Sequence, residues 1–148
     1  MKNKIPRKVS KANNKRKGSS YELDIRAELI KLGFTKAKSS RHASRIYDDC
    51  AIDHWGVVLP NGRLVFTQCK SGYKTTRPKA DVEFRKQLER TQEHFEQGSK
   101  ELDNPLQILF HKIDGYKPEN HLVTLKFNDF IEIFDAYVKN TKTSNKGP

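Results

Sequence analysis

The chain has 148 residues, of which 34% are hydrophobic and 32% are charged. This length is enough to bury the core of one domain. No apolar run reaches the roughly 20 residues that a membrane span needs, and no apolar segment of the kind found in secretory signals follows the basic N-terminus. We therefore expect an intracellular protein.

The net charge of +11 is concentrated at the two ends of the chain. Residues 1–17 contain eight lysines and arginines and no acidic residue, whereas the central part of the chain is balanced. We expect residues 1–17 to form a disordered basic tail, residues 18–139 a folded domain and residues 140–148 a basic polar tail. Basic tails favour a nucleic-acid partner, because Lys and Arg displace counterions from phosphates. A solubilising tail is the alternative.

The first half of the chain predicts a helix followed by strands. A helix is expected over residues 21–32, capped by Ser19 or Ser20 and ended by Gly33. A short strand follows over residues 34–40. Residues 50–59 and 64–69 predict two strands of a hairpin, joined by a turn that contains Asn61-Gly62.

The second half predicts two more strands and two more helices. The predicted elements are a helix over residues 81–97, strands over residues 106–111 and 121–127, and a last helix from about residue 128. Helices and strands in this order indicate an α/β fold with a mixed β-sheet flanked by helices.

The predicted hairpin carries an unusual group of polar residues. Asp49 and Asp53 precede it, and its second strand ends in Gln68-Cys69-Lys70. Because side chains alternate along a strand, Gln68 and Lys70 are predicted to share one face of the sheet, with Cys69 on the other.

These residue types suit a divalent metal ion. Carboxylate and amide oxygens are hard ligands of the kind that Mg²⁺ binds, and Mn²⁺ can substitute for it. A metal-activated water beside Lys70 could attack a phosphodiester. Gln68 is a neutral ligand and predicts weaker metal binding than a carboxylate would give.

The same pattern resembles the PD-(D/E)xK nuclease superfamily. Residues 49–53 and 66–70 are similar to motifs of Mrr-type nucleases, and residues 17–22 are similar to the start of Hjc-like Holliday junction resolvases. The resemblance implies a restriction-endonuclease-like fold and a homodimer. It also implies that Glu22, Asp53, Gln68 and Lys70 are catalytic. The metal ligands would be Asp53, Gln68 and Glu22, with Asp49 of the Asp48-Asp49 pair as a rival ligand.

Basic and hydroxyl side chains on both sides of the hairpin predict DNA contacts. The loop 39–45 is rich in serine and arginine, which suit phosphates, although an ordinary polar loop is equally compatible with this composition. The predicted DNA-binding residues are Lys17, Ser19, Arg41, Arg45, Lys74 and Arg77.

Together these features lead to one main functional hypothesis and two alternatives. The main hypothesis is a Mg²⁺-dependent, structure-selective endonuclease, a Holliday junction resolvase of phage or archaeal type that acts on branched DNA in recombination and repair. If it is phage-encoded, it would act in the cytoplasm of the host cell. The alternatives are an Mrr-like restriction or repair nuclease that cuts duplex DNA, and a non-catalytic nucleic-acid-binding protein on a degenerate nuclease fold.

Overall fold

The structure of the chain is a computed structural model that describes the backbone of residues 11–73 and 75–145, with side chains described over 18–73 and 75–141. Besides two 3₁₀ turns at Lys100–Leu102 and Pro118–Asn120, this part of the chain contains five α-helices and five strands. In chain order they are α1 (Lys11–Lys31), β1 (Lys38–Ser39), α2 (Ser40–Ala43), α3 (Arg45–Asp49), β2 (His54–Trp55), β3 (Val65–Tyr73), α4 (Ala80–His94), β4 (Leu106–Ile113), β5 (Leu122–Thr124) and α5 (Phe127–Asn145). No helix in the described part of the chain is long and apolar enough to cross a membrane.

The central sheet contains both parallel and antiparallel strand pairs. Strand β4 pairs in parallel with β3 and antiparallel with β5, and a separate two-stranded ribbon joins β1 to β2. In the parallel pair, Lys70 on β3 lies opposite His111 on β4. The structure therefore confirms the mixed α/β class, with a small mixed sheet flanked by helices.

The two faces of β3 pack against different helices. Val65 belongs to a buried cluster that includes Leu29 of α1. The next residue, Phe66, belongs to a second cluster that includes Cys50 and Ile52. This alternation places α1 on one side of the sheet. Side chains of β3 on the opposite side can contact α4.

Helix α4 is attached to the sheet by buried amides instead of a continuous apolar stripe. The Nε2 of Gln107 on β4 donates hydrogen bonds to the backbone oxygen of Phe84 and to Oε1 of Gln87. The Nε2 of Gln87 in turn donates to the backbone oxygen of Ala51. This network fixes α4 relative to β4 and to the segment that leads into β2.

The hairpin turn was predicted correctly, but its first strand was not. Leu59 and Arg63 are hydrogen-bonded across the turn, and Val58 forms an antiparallel bridge with Leu64. Strand β2, however, is only two residues long. Ala51 has a φ of 58°, a left-handed conformation that interrupts any extended strand over residues 50–53.

Two other boundaries differ from the predictions. Helix α1 already begins at Lys11, so the expected caps Ser19 and Ser20 lie inside it. The lysines, arginines and alanine of residues 11–17 favour a helix, and this preference outweighs the local capping signal. The loop expected over residues 39–45 contains α2 and the start of α3, whose first turn is capped by the Ser44 hydroxyl accepting the Tyr47 N–H. Residues 1–10 lie outside the described part of the chain.

Candidate active site

Asp53 is tied to β3 through both its backbone and its side chain. Its N–H donates to the backbone oxygen of Thr67 at 2.9 Å. Its carboxylate accepts the N–H of Cys69 at 2.6 Å. The carboxylate is therefore fixed at the edge of β3, beside the backbone that joins Gln68 to Lys70.

Gln68 and Lys70 reach the same face of β3, as the sequence predicted. Both side chains contact one oxygen of Glu83: Gln68 Nε2 lies 3.0 Å from Glu83 Oε2, and Lys70 Nζ lies 3.5 Å from it. Glu83 stands in the first turn of α4. The polar face of β3 therefore meets α4 through a carboxylate that sequence reasoning did not identify.

Asp53 is electrostatically unusual. Burial raises its pKa from 3.8 to about 7, against the opposing effect of the hydrogen bond from Cys69. Nearby Glu22 raises this pKa further, whereas Lys70 and Arg41 lower it. A partly buried carboxylate that holds a proton near neutral pH is a group that a cation stabilises by taking the place of the proton.

Glu22 lies near the site but is engaged by an arginine. The residue is 4% exposed, and its carboxylate accepts three hydrogen bonds from Arg41 at 2.9, 3.1 and 3.2 Å. Its charge still reaches Asp53, whose pKa it raises. Glu22 thus contributes to the field at Asp53, while Arg41, predicted as a DNA contact, holds this carboxylate.

His54 connects α1 to β3 directly behind Asp53. This fully buried ring lies 2.7 Å from the backbone oxygen of Glu22 through Nε2 and 2.7 Å from the Thr67 hydroxyl through Nδ1. Because a carbonyl can only accept, Nε2 carries the proton and the Thr67 hydroxyl donates to Nδ1. Burial lowers the pKa of His54, which favours the neutral form of the ring.

Asp49, the rival ligand, lies elsewhere. It is exposed at the end of α3, and its charge acts on the thiol of Cys50 together with Arg90 and Glu93 of α4. The geometry therefore groups Asp53, and not Asp49, with Gln68 and Lys70.

The predicted DNA-binding residues lie on different elements of the fold. Ser19 lies in α1. Its neighbour Gly18 is close to the Arg41 guanidinium, since a Cβ added at Gly18 would be 3.8 Å from it. Arg45 is exposed at the start of α3.

Arg77 is exposed in the loop before α4. Burial lowers the pKa of His111, the β-sheet partner of Lys70, and the charge of Arg77 lowers it further. The side chains of Lys17 and Lys74 are outside the described part of the chain.

The residues at the site fit a metal that needs few protein ligands. Over the described ranges, no three His, Cys, Asp or Glu side chains converge as a metal-binding group. Gln68 Oε1, however, is a buried acceptor for which no hydrogen-bond partner is found among the described residues. An unpaired amide oxygen on the strand whose backbone holds the Asp53 carboxylate suits Mg²⁺, which usually keeps several waters and binds one or two protein carboxylates.

Comparison of the chain with protein-family models, with curated proteins and with solved structures finds no match to any of them. Any function assigned to the site therefore rests on its residues and geometry.

The raised pKa of Asp53 gives a prediction for the metal-free protein. Between about pH 4 and 7 the folded state holds a proton that the unfolded state releases, so the free energy of unfolding contributed by this group falls as pH rises. Asp53→Asn removes this contribution and keeps an oxygen that can accept the Cys69 N–H. We expect the variant to gain stability over the wild type by at most about 1.4 kcal/mol per pH unit across this interval.

Urea denaturation in EDTA from pH 4 to 8 measures this difference. Asp49→Asn is the matched control and should follow the wild type at every pH. Parallel stability curves for wild type and Asp53→Asn would contradict the proton-holding state of Asp53.

Proposed function

We propose that the chain is a Mg²⁺-dependent, structure-selective DNA endonuclease of the Holliday junction resolvase type, with a restriction-endonuclease-like fold. The observation that carries the proposal is the attachment of the Asp53 carboxylate to β3 between Gln68 and Lys70, at 2.6 Å from the Cys69 N–H. This contact brings together the acid and the Gln-x-Lys segment, which the hairpin separates in the sequence.

Each residue of the site has a distinct proposed role. Asp53 and the amide oxygen of Gln68 would hold Mg²⁺, which activates water and offsets phosphate charge when it is bound. Lys70 carries an ammonium, 29% exposed, that can orient the attacking water or stabilise the charge that develops in the transition state. Glu22 adjusts the field at Asp53 and anchors Arg41.

The DNA would be bound through its backbone. Arg45 and Arg77 are exposed cations, and the basic residues 1–17 add further positive charge. Such contacts position a phosphate backbone without reading sequence. Selectivity would then come from the shape of branched DNA.

Cleavage assays distinguish this function from the two alternatives. The purified protein is incubated with labelled four-way junction, linear duplex and single strand, with and without Mg²⁺. Paired nicks in the junction alone support a resolvase. Equal cutting of the duplex supports the Mrr-like restriction or repair nuclease, and tight binding without cleavage in Mg²⁺ or Mn²⁺ supports a non-catalytic binding protein.

We further propose that two copies of the chain associate through α5. A stripe of large apolar residues points outward on this helix, where these side chains are 42–76% exposed. These residues are Phe127, Phe130, Ile131, Ile133, Phe134 and Tyr137. Patches of this kind mark protein interfaces.

The size of this surface fits a second copy of the same chain. Covering these half-exposed side chains removes roughly 600 Å² per copy, since large apolar side chains bury about 150–250 Å² each. A symmetric pair would then bury about 1,200 Å², the lower limit of a stable interface. Arg63 fixes the start of the helix through Asp129 at 2.7 Å and Glu132 at 3.0 Å. Two copies would give the two active sites that paired cleavage of a junction requires.

Charges placed on the α5 stripe should separate the two copies. We expect Phe130→Glu combined with Phe134→Glu to convert a dimer into a monomer, because these stacked rings lie 5.5 Å apart at the centre of the stripe. Light scattering after size-exclusion chromatography measures the mass. Leu32→Glu, at a 75% exposed leucine in the turn that follows α1, is the control and should leave the mass unchanged. A monomeric wild type, or a dimer that survives the double substitution, would contradict this interface.

A further inference from the structure

The amide of Gln68 is oriented by a single neighbour. Gln68 is 3% exposed, and its Nε2 donates to Glu83 Oε2 at 3.0 Å. Because a carboxylate has no proton to donate, the NH₂ group of the amide must face Glu83. The amide oxygen is therefore directed away from Glu83.

That amide oxygen is left without a partner. Gln68 Oε1 is buried, and no hydrogen bond to it is found in the described part of the chain. A buried acceptor without a partner costs about 1–3 kcal/mol, and a cation or a water can relieve this cost. An amide oxygen is also one of the hard ligands that Mg²⁺ and Mn²⁺ accept.

The same carboxylate also restrains Lys70. Lys70 Nζ lies 3.5 Å from Glu83 Oε2, the oxygen that accepts from Gln68. The side chains of this ion pair are 29% and 23% exposed, so it is partly shielded from water. One glutamate on α4 thus contacts both polar side chains of the Gln-x-Lys segment.

We propose that Glu83 is a positioning residue that turns the amide oxygen of Gln68 toward the metal and holds Lys70 beside it; this rests on the proposed metal site. It also gives a physical reason for an amide at position 68. A glutamate there would bring two carboxylates within hydrogen-bond distance, and like charges so close oppose ionisation of both. An amide facing a carboxylate has the complementary donor and acceptor.

The reciprocal exchange of the two side chains tests this role. Mn²⁺ binding to the DNA-free protein is followed by electron paramagnetic resonance for the wild type, Glu83→Gln, and Gln68→Glu combined with Glu83→Gln. We expect Glu83→Gln to weaken Mn²⁺ binding about tenfold, a typical loss when the residue that orients a ligand is removed. Glutamine at position 83 can donate to Gln68 Oε1 and so hold the amide in the opposite orientation.

The exchanged pair should recover the loss. A carboxylate at position 68 can accept from the new amide at position 83 and still offer an oxygen to the metal, so we expect at least wild-type affinity. Glu89→Gln, at an exposed glutamate on the same helix, is the matched control and should bind Mn²⁺ as the wild type does. Thermal unfolding confirms that each variant is folded. If Glu83→Gln alone does not fold, the exchanged pair still decides the result.

Two results would overturn the positioning role. They are wild-type Mn²⁺ affinity in a folded Glu83→Gln variant, and an exchanged pair that binds Mn²⁺ more weakly than the wild type. If Asp53→Asn loses Mn²⁺ in the same experiment while Glu83→Gln retains it, the positioning role fails and the metal site stands. A wild type that binds no Mn²⁺ overturns the metal site and this inference together.

Discussion

Asp53→Asn and Lys70→Ala are each expected to abolish cleavage of a four-way junction while leaving its binding intact. Among the described residues, Asp53 is the carboxylate that accepts a backbone N–H of β3, that of Cys69 at 2.6 Å. Its amide analogue keeps that hydrogen bond and loses the negative charge that a cation needs. Loss of several kcal/mol of transition-state stabilisation lowers the rate on the order of 10³-fold.

Lys70→Ala is expected to impair catalysis without impairing metal binding. The substitution removes the ammonium near Asp53 but leaves both proposed metal ligands in place. We therefore expect Lys70→Ala to retain Mn²⁺ binding, whereas Asp53→Asn loses it. Single-turnover cleavage, gel-shift binding in EDTA and Mn²⁺ titration separate these effects.

Asp49→Asn is the control for both variants. Because Asp49 is exposed at the end of α3 and acts on Cys50, the variant should cut at the wild-type rate. Cleavage lost in Asp49→Asn but retained in Asp53→Asn would transfer the metal site to Asp49. Full activity in both Asp53→Asn and Lys70→Ala would contradict the proposed active site.

His54→Ala is expected to have the largest effect on stability, lowering the free energy of unfolding by about 2–4 kcal/mol. It empties a fully buried position and leaves the Thr67 hydroxyl and the Glu22 carbonyl without their partner. Cavity formation and unpaired buried polar groups each contribute to such a loss. Urea denaturation at pH 7.5 in EDTA measures it.

The pH dependence of stability gives an independent test of His54. Burial lowers its pKa, so below about pH 6.5 the unfolded state takes up a proton that the folded state excludes. The contribution of this group to stability is therefore lost as pH falls, and the difference between wild type and His54→Ala should shrink toward acid pH. His42→Ala, at an exposed position, should change stability by less than about 0.5 kcal/mol. A difference that does not change with pH would contradict a neutral buried ring.

The sequence predicted those features of the site that depend on local rules. Alternation along a strand correctly placed Gln68 and Lys70 on one face, and Asn61-Gly62 correctly marked the turn of the hairpin. Both follow from the conformation of a few neighbouring residues, which the local sequence determines. The mixed α/β class likewise followed from the order of the elements.

Contacts between distant segments could not be read in the same way. Glu83 is one of several acids on α4, and only the docking of that helix by Gln107 brings it to Gln68. Glu22 was expected to hold a metal, but its carboxylate is held by Arg41, 19 residues away in the chain. Neither contact produces a periodic pattern in the sequence.

The sequence by itself determined the strand and turn that carry the candidate site, because alternation and turn chemistry act over a few residues. Only the tertiary structure decided which acid lies beside this strand. The left-handed Ala51 and the packing of Ile52 turn Asp53 toward β3, while α3 carries Asp49 away. Such choices depend on how buried surfaces and hydrogen bonds are satisfied across the whole domain, which no local pattern records.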